Sequence, residues 1–251
     1  MGTFVIVHGA WGGGWEWSAV VARLRSKGHQ ALAPTLTGLG DRCHLLVGER
    51  VGLATHIDDV VAAVEFEQLS GVVLCGASYG GMAVTGAAEH LRDRVRSIVY
   101  IDALVPCDGQ SALDLLPGPF VGRVRQGIVE HGESWRIPIP ADLQNALVPP
   151  GALPDDIRHA YLSRLRDHPA ASFAEPVALT GAVERLSRAF IRCTTAEFGA
   201  EVGVDPIADM ASRALDQGWP YREIETRHDP QLFAPDRVAD LIEELGTQAA
   251  L

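Results

Sequence analysis

Four short apolar runs, at residues 4–7, 72–75, 98–101 and 189–193, are separated by longer stretches with helical periodicity. Short, mostly apolar runs suit strands buried on both faces, and strands alternating with helices read as a parallel sheet covered on both sides. Further strands are expected at 30–33 and 221–226. Residues 17–27 place Val20, Val21 and Leu24 on one face and stop at Gly28. Residues 55–67 repeat Ile57, Val60, Val61 and Val64 at helical spacing, with Thr55 as the expected cap. Residues 81–90 are alanine-rich, and 235–245 carry Val238, Leu241, Ile242 and Leu245 on one face. The fold class is α/β, with a mostly parallel central sheet flanked by helices.

The rhythm breaks between about 106 and 188, where prolines are frequent and βα alternation is lost. Residues 1–105 and 189–251 are therefore expected to form the core, and 106–188 a mostly helical cap insertion over the C-terminal strand ends, where it would shape a pocket. A packed lobe without contact to the site is the alternative.

The strongest local pattern is Gly76-Ala77-Ser78-Tyr79-Gly80, a G-x-S-x-G motif between the apolar run 72–75 and an alanine-rich helix. A nucleophilic serine in this setting sits on a sharp strand-to-helix turn, where glycines two residues before and after it remove colliding side chains. Ser78 is thus the expected nucleophile, against a structural turn serine. His228 follows the last expected strand and precedes the last helix, in the order nucleophile first and histidine last. A neutral imidazole there can take the serine proton and return it to a leaving group. The glycine-rich loop His8-Gly9-Ala10-Trp11-Gly12-Gly13-Gly14 follows the first strand. Its Ala10 N–H, with that of Tyr79, is the expected oxyanion donor pair. The His8 ring can brace the loop through hydrogen bonds. A dinucleotide-binding loop is the weaker reading, because G-x-G-x-x-G is absent and Ala33-Pro34 stands where an acid would close the next strand. The remaining histidines are expected at surfaces or loops, except that His44 and His56 could line an entrance.

Composition narrows the partners. The formal charge is −11 and no basic run offers a nucleic-acid footprint. No stretch approaches the apolar length of a membrane span, and residues 4–7 lack the flanks of a signal peptide. Four cysteines without a CxxC pair, two of them in apolar segments, suit a reduced cytoplasmic setting. There is no HExxH and no close His/Asp/Cys cluster for a metal. A homodimer stays open.

The residues also carry a resemblance. The blocks from Phe4 to Trp11, from Gly14 to Trp17, from Pro34 to Arg42, from Gly76 to Met82 and from Tyr100 to Pro106 resemble the plant hydroxynitrile lyase and methylesterase family and its bacterial carboxylesterase relatives, including pyrethroid hydrolases. Ile191-Arg192-Cys193-Thr194 and His228-Asp229-Pro230 continue it, so it covers roughly residues 3–110 and 189–245. The resemblance implies an α/β-hydrolase fold and a cofactor-independent serine esterase with a helical cap and an apolar pocket. The lyase branch places a lysine after the catalytic histidine. Asp229 stands there instead, and an anion opposes cyanide departure.

The triad acid departs from the family pattern. Plant relatives keep an aspartate three residues beyond the cysteine of a Cys-Thr pair, and here that place is Ala196. Asp102 is preferred. It ends the run 98–101 and resembles the acid-x-x-x-Pro setting of some haloalkane dehalogenases; Glu197 and Asp205 are the alternatives. Trp11, Trp15, Trp17, Leu104, Phe120 and Trp135 are the expected pocket residues, although several could simply pack the lobe. The expected function is hydrolysis of a small apolar or aromatic carboxylic ester through an acyl-Ser78 intermediate. The alternatives are lactone, amide or C–C hydrolysis or a biosynthetic step on the same scaffold, and lastly a non-catalytic ligand-binding relative.

Overall fold

The computed structural model describes residues 1–139, 141–195 and 205–248. In chain order the strands are β1 Thr3–Val7, β2 Gln30–Leu32, β3 Val72–Ala77, β4 Val95–Ile101, β5 Arg136–Ile137, β6 His168–Pro169, β7 Ser187–Cys193 and β8 Tyr221–Ile224. The helices are α1 Ser18–Ser26, α2 Leu53–Phe66, α3 Gly80–His90, α4 Ala112–Leu115, α5 Gly118–Glu130, α6 Ala141–Leu147, α7 Asp155–Leu162, α8 Ala170–Ala174, α9 Ala208–Asp216, α10 Pro230–Phe233 and α11 Pro235–Gln248.

Six strands form one sheet in the order β2-β1-β3-β4-β7-β8, and every neighbouring pair is parallel. The chain runs outward from β1 to β2 and then crosses back to β3. That reversal opens a crevice beyond the carboxyl ends of β1 and β3, the usual ligand position in an open α/β sheet.

Alternation along each strand divides the core into two layers. Phe4 and Ile6 of β1, Val73 and Cys75 of β3, Val99 and Ile101 of β4, and Ala189 and Ile191 of β7 face α1 and α11. Val5 and Val7, Val72 and Leu74, Ile98 and Tyr100, and Phe190 face the other way, toward α2 and α3. The helices meet these layers through the stripes expected from their spacing: Val20, Val21 and Leu24 of α1, and Val238, Leu241, Ile242 and Leu245 of α11. Gly28, at φ +86°, ends the chain's run out of α1 in a conformation that favours glycine.

One helix start differs from expectation. α2 begins at Leu53, after Gly52, and Thr55 lies inside it rather than capping it. The first-turn amide of Ala54 is bonded by the Glu175 carboxylate at 3.1 Å, so a distant side chain supplies the acceptor that a local cap would have supplied.

Between β4 and β7 the chain forms α4 to α8 and a two-residue antiparallel ladder pairing β5 with β6. Phe120, Val124, Ile137, Leu147, Tyr161 and Phe173 from this segment are buried, and they are continuous with the layer on the α2/α3 face. Among the described residues no helix is long and apolar enough to cross a membrane.

Candidate active site

The register of three parallel strands brings the site together. Ser78 follows β3, Asp102 follows β4, and β4 and β7 run in register as far as Ile101 opposite Ile191. His228 lies in the segment between β8 and α10. His228 Nε2 is 2.9 Å from Ser78 Oγ, and His228 Nδ1 is 2.7 Å from Asp102 Oδ2. A carboxylate only accepts, so Nδ1 carries the proton and Nε2 is left to accept the Ser78 hydroxyl. All three residues lie at the carboxyl edge of the sheet.

The backbone here is strained. Six described non-glycine residues have positive φ, and three are at this site: Trp11 at 63°, Ser78 at 50° and Asp102 at 44°. Such conformations persist only where surroundings hold them. The Ser78 amide donates to Ile101 O at 3.2 Å, and Ser78 O accepts from Gly81 and Leu104. The glycines leave the turn no slack. A Cβ at Gly76 would lie 2.8 Å from Gly80 O, one at Gly80 would lie 2.5 Å from Val7 O, and one at Gly81 would lie 2.1 Å from Leu104 O.

The Ala10 and Tyr79 amides have no backbone partner among the described residues. Tyr79 directly precedes α3, whose N-terminal end favours developing negative charge. Burial opposes the charged form of His228, but the hydrogen bond and charge of Asp102, helped by Asp229, outweigh it and hold its pKa above the ordinary value. Burial also raises the Asp229 carboxyl.

Ser78 opens on a narrow cavity lined by Ala10, Trp11, Tyr79, Leu104, Leu116, Phe120, Phe173, Pro206 and Ile207. Of the expected pocket residues, Trp11, Leu104 and Phe120 are present. Leu116, Phe173, Pro206 and Ile207 were not foreseen.

Three tryptophans stand elsewhere. Trp17 is fully buried in the opposite layer with Phe4, Ile6 and Val20. It precedes α1 by one residue, and three- and four-residue spacing puts it on the stripe of Val20 and Val21. Trp15 packs edge-on against Tyr161 of α7 at 5.3 Å, with the Arg164 guanidinium 5.2 Å from its ring. Trp135 lines a different groove with Gly38, Leu46 and Leu165. Two left-handed residues, Glu133 and Ser134, turn the chain just before it.

Behind the cavity lies a buried polar network that sequence reading missed. His56 Nδ1 accepts from the Tyr79 hydroxyl at 2.9 Å, and its Nε2–H donates to Thr37 O at 3.0 Å. His168 Nδ1 accepts from the Trp11 amide at 3.3 Å, while its Nε2–H donates to Ser172 Oγ at 2.9 Å. His8 braces its loop as expected: its Nδ1–H donates to Gly9 O at 2.8 Å, and its Nε2 accepts from Leu36 N at 3.0 Å. Burial lowers all three histidines, His8 and His56 to about 4, so each is neutral near pH 7. His56 and His168 are thus buried rather than at an entrance or a surface. The signal for His56 was its place on the α2 stripe of Leu53, Ile57 and Val60; His168 had none.

Of the alternative acids, Asp205 does not meet His228. It pairs with Arg192 and accepts from the Ile207 amide at 2.9 Å. Glu197 lies outside the described residues. Among those residues no group of three or more His, Cys, Asp or Glu side chains could hold a metal ion.

The sequence model of the alpha/beta hydrolase family matches residues 4–241. A carbendazim hydrolyzing esterase of Nocardioides sp. (strain SG-4G) is 35% identical over 98% of this chain and 100% of its own length. The esterase PIR7B of Oryza sativa subsp. japonica is 36% identical over 43% of the chain and 40% of its own length. Among solved structures, a pyrethroid hydrolase from Sphingobium faniae JZ-2 superposes with a TM-score of 0.77 at 21% identity, over 99% of this chain and 98% of that one. The match of the family pattern across the sheet and of one relative across the full length leads to one conclusion: this chain belongs to the alpha/beta hydrolase family.

Proposed function

We infer that the chain is a carboxylesterase, with Ser78 as nucleophile, His228 as general base and acid, and Asp102 as the acid of the triad. One observation carries this reading: the unbroken line from Asp102 Oδ2 through both ring nitrogens of His228 to Ser78 Oγ, at 2.7 and 2.9 Å. In the first step Ser78 Oγ attacks the ester carbonyl carbon while His228 Nε2 takes its proton. The negative charge on the carbonyl oxygen falls to the Ala10 and Tyr79 N–H groups. His228 then gives its proton to the departing alkoxide, leaving an acyl-Ser78 ester. Water, deprotonated by the same nitrogen, attacks that ester, and His228 returns the proton to Ser78 Oγ as the acyl–Oγ bond breaks and the acid leaves. Asp102 keeps the imidazole in the required tautomer and stabilises its cation.

The cavity lining is apolar and aromatic, which suits a small apolar or aromatic ester over a charged one. The test has two parts. A fluorophosphonate probe should label Ser78 in the folded protein and fail to label Ser78→Ala. Product analysis should then run over alkyl esters, aryl esters, lactones and amides, with carbendazim and a pyrethroid ester included. Cleavage of uncharged aryl esters is the expected result. Labelling of the Ser78→Ala variant at the same level would overturn the nucleophile, and a preference for charged acyl groups would overturn the substrate class.

A further inference from the structure

A charged residue sits in the middle of the site's framework without a role in the reaction as written. Arg192 lies in β7, next to Ile191, whose carbonyl receives the Asp102 amide at 2.7 Å. Its side chain lies on the same strand face as Phe190 and is largely buried, at 15% exposure. Nη1 donates to Asp102 Oδ1 at 2.6 Å, and Nη2 donates to the Asp205 carboxylate. Asp102 Oδ1 also accepts from the Cys193 amide at 3.2 Å. One oxygen of Asp102 is therefore held by β7 on two sides, which leaves Oδ2 to face His228.

The other end of the bridge reaches the substrate cavity. Asp205 is followed by Pro206 and Ile207, both of which line the space in front of Ser78. Asp205 Oδ1 accepts from the Ile207 amide, so the carboxylate that meets Arg192 also orients that wall. A largely buried cation is costly unless paired, and here it is paired on both sides.

We propose that Arg192 is a positioning residue of this esterase, fixing the triad acid through one bond and the Pro206–Ile207 wall of the substrate cavity through the other. The proposal rests on the reading of Asp102 as the triad acid. It has a consequence that packing alone would not have. The charged and titratable groups facing His228 are Asp102 beyond β4, Asp229 on its own segment, Cys193 and Arg192 on β7, and Ser78 beyond β3; Glu16 and Tyr161 lie behind Asp229. Asp102 and Asp229 favour the imidazolium, whereas Arg192 disfavours it. Removing the cation leaves the two carboxylates unopposed. His228 then holds its proton to higher pH, and the acidic limb of kcat/KM moves upward.

The experiment compares wild type, Arg192→Gln, Arg192→Lys and Asp205→Asn on one uncharged aryl ester across pH, with rates divided by the fraction of sites labelled by a fluorophosphonate. Arg192→Gln should lose up to about 100-fold in kcat, as expected for a displaced catalytic group. Its acidic limb should move to higher pH, and Arg192→Lys should return the limb toward wild type. Asp205→Asn should keep the wild-type limb and raise KM more than it lowers kcat. An Arg192→Gln limb that coincides with wild type, or one that Lys does not restore, overturns the proposal. If Arg192→Gln does not fold, Asp205→Asn decides: an unchanged KM overturns it. Failure of wild type to label at Ser78 would instead overturn the esterase reading beneath it.

Discussion

The two halves of the site are built by different means. Ser78 and Asp102 directly follow the adjacent parallel strands β3 and β4, and His228 lies on the segment after β8, separated from β4 by β7, so the hydrogen-bond register of the sheet sets where that segment starts. Much of the cavity wall comes from outside the strand ends, through Leu116, Phe120 and Phe173 between β4 and β7 and through Pro206 and Ile207 after β7. That wall is held by packing and by a few polar ties. The difference separates chemistry from selectivity: side chains on the sheet edge tolerate no displacement, whereas the wall can change shape without disturbing the reacting atoms. Tyr79 joins the halves. Its amide belongs to the sheet edge, while its ring stacks on Phe173 at 5.0 Å and its hydroxyl donates to His56.

Substitutions sharpen this contrast, beginning with the largest effect. Ser78→Ala should lower kcat by about 10⁵–10⁶-fold, because the members of such a unit fail together. An unchanged melting temperature would show that the fold survives. Trp17→Ala tests the tryptophan that belongs to neither half. It should cost about 3–5 kcal/mol of stability, as for a large buried aromatic, while turnover per labelled site stays near wild type. Denaturant unfolding and labelling together check both parts, and a large loss of turnover would return Trp17 to the site.

Stability against pH probes the network behind the cavity. His8 and His56 titrate near 4 in the fold and near 6.5 in the unfolded chain, so between those values the unfolded state binds more protons. Their contribution is complete above pH 6.5 and is lost as pH falls toward 4, by up to about 1.4 kcal/mol per pH unit for each. His168 acts in the same direction. His228 acts in the opposite one, because its raised pKa adds stability at low pH that is lost as pH rises through it. Urea midpoints at pH 7 and pH 5 should therefore fall with acid, and less so in His56→Leu. The smallest effect belongs to the wall. Phe120→Ala should raise KM for an aryl ester by about tenfold, in line with about 1.4 kcal/mol of lost apolar burial, and leave the labelling rate of a small fluorophosphonate unchanged.

What the sequence made legible follows the same division. The four inner strands β1, β3, β4 and β7 each carried an apolar run that could be read directly, because burial on both faces leaves a nearly continuous apolar signature, whereas the edge strands β2 and β8 are mixed. The motif around Ser78 was equally plain, since the Gly76, Gly80 and Gly81 positions admit no side chain. The pocket was not legible. Aromatic residues look alike in sequence whether they line a cavity or fill a core, so Trp11 and Trp17, six residues apart, could not be told apart until the faces of β1 and α1 were known. His168 and Ser172 escaped notice because their partners, Trp11 and Pro169, are joined by the fold of an irregular segment rather than by any period. The start of α2 was misplaced because its acceptor is Glu175, over a hundred residues away in sequence.

The esterase reading depends most directly on Asp102, the carboxylate that meets His228. The deciding measurement is kcat on one aryl ester for Asp102→Asn, Asp205→Asn and Glu197→Gln, each normalised to folded protein. Asp102→Asn should lose about 10²–10⁴-fold and the other two less than about tenfold. Near-full activity in Asp102→Asn, with collapse in either of the others, would contradict it.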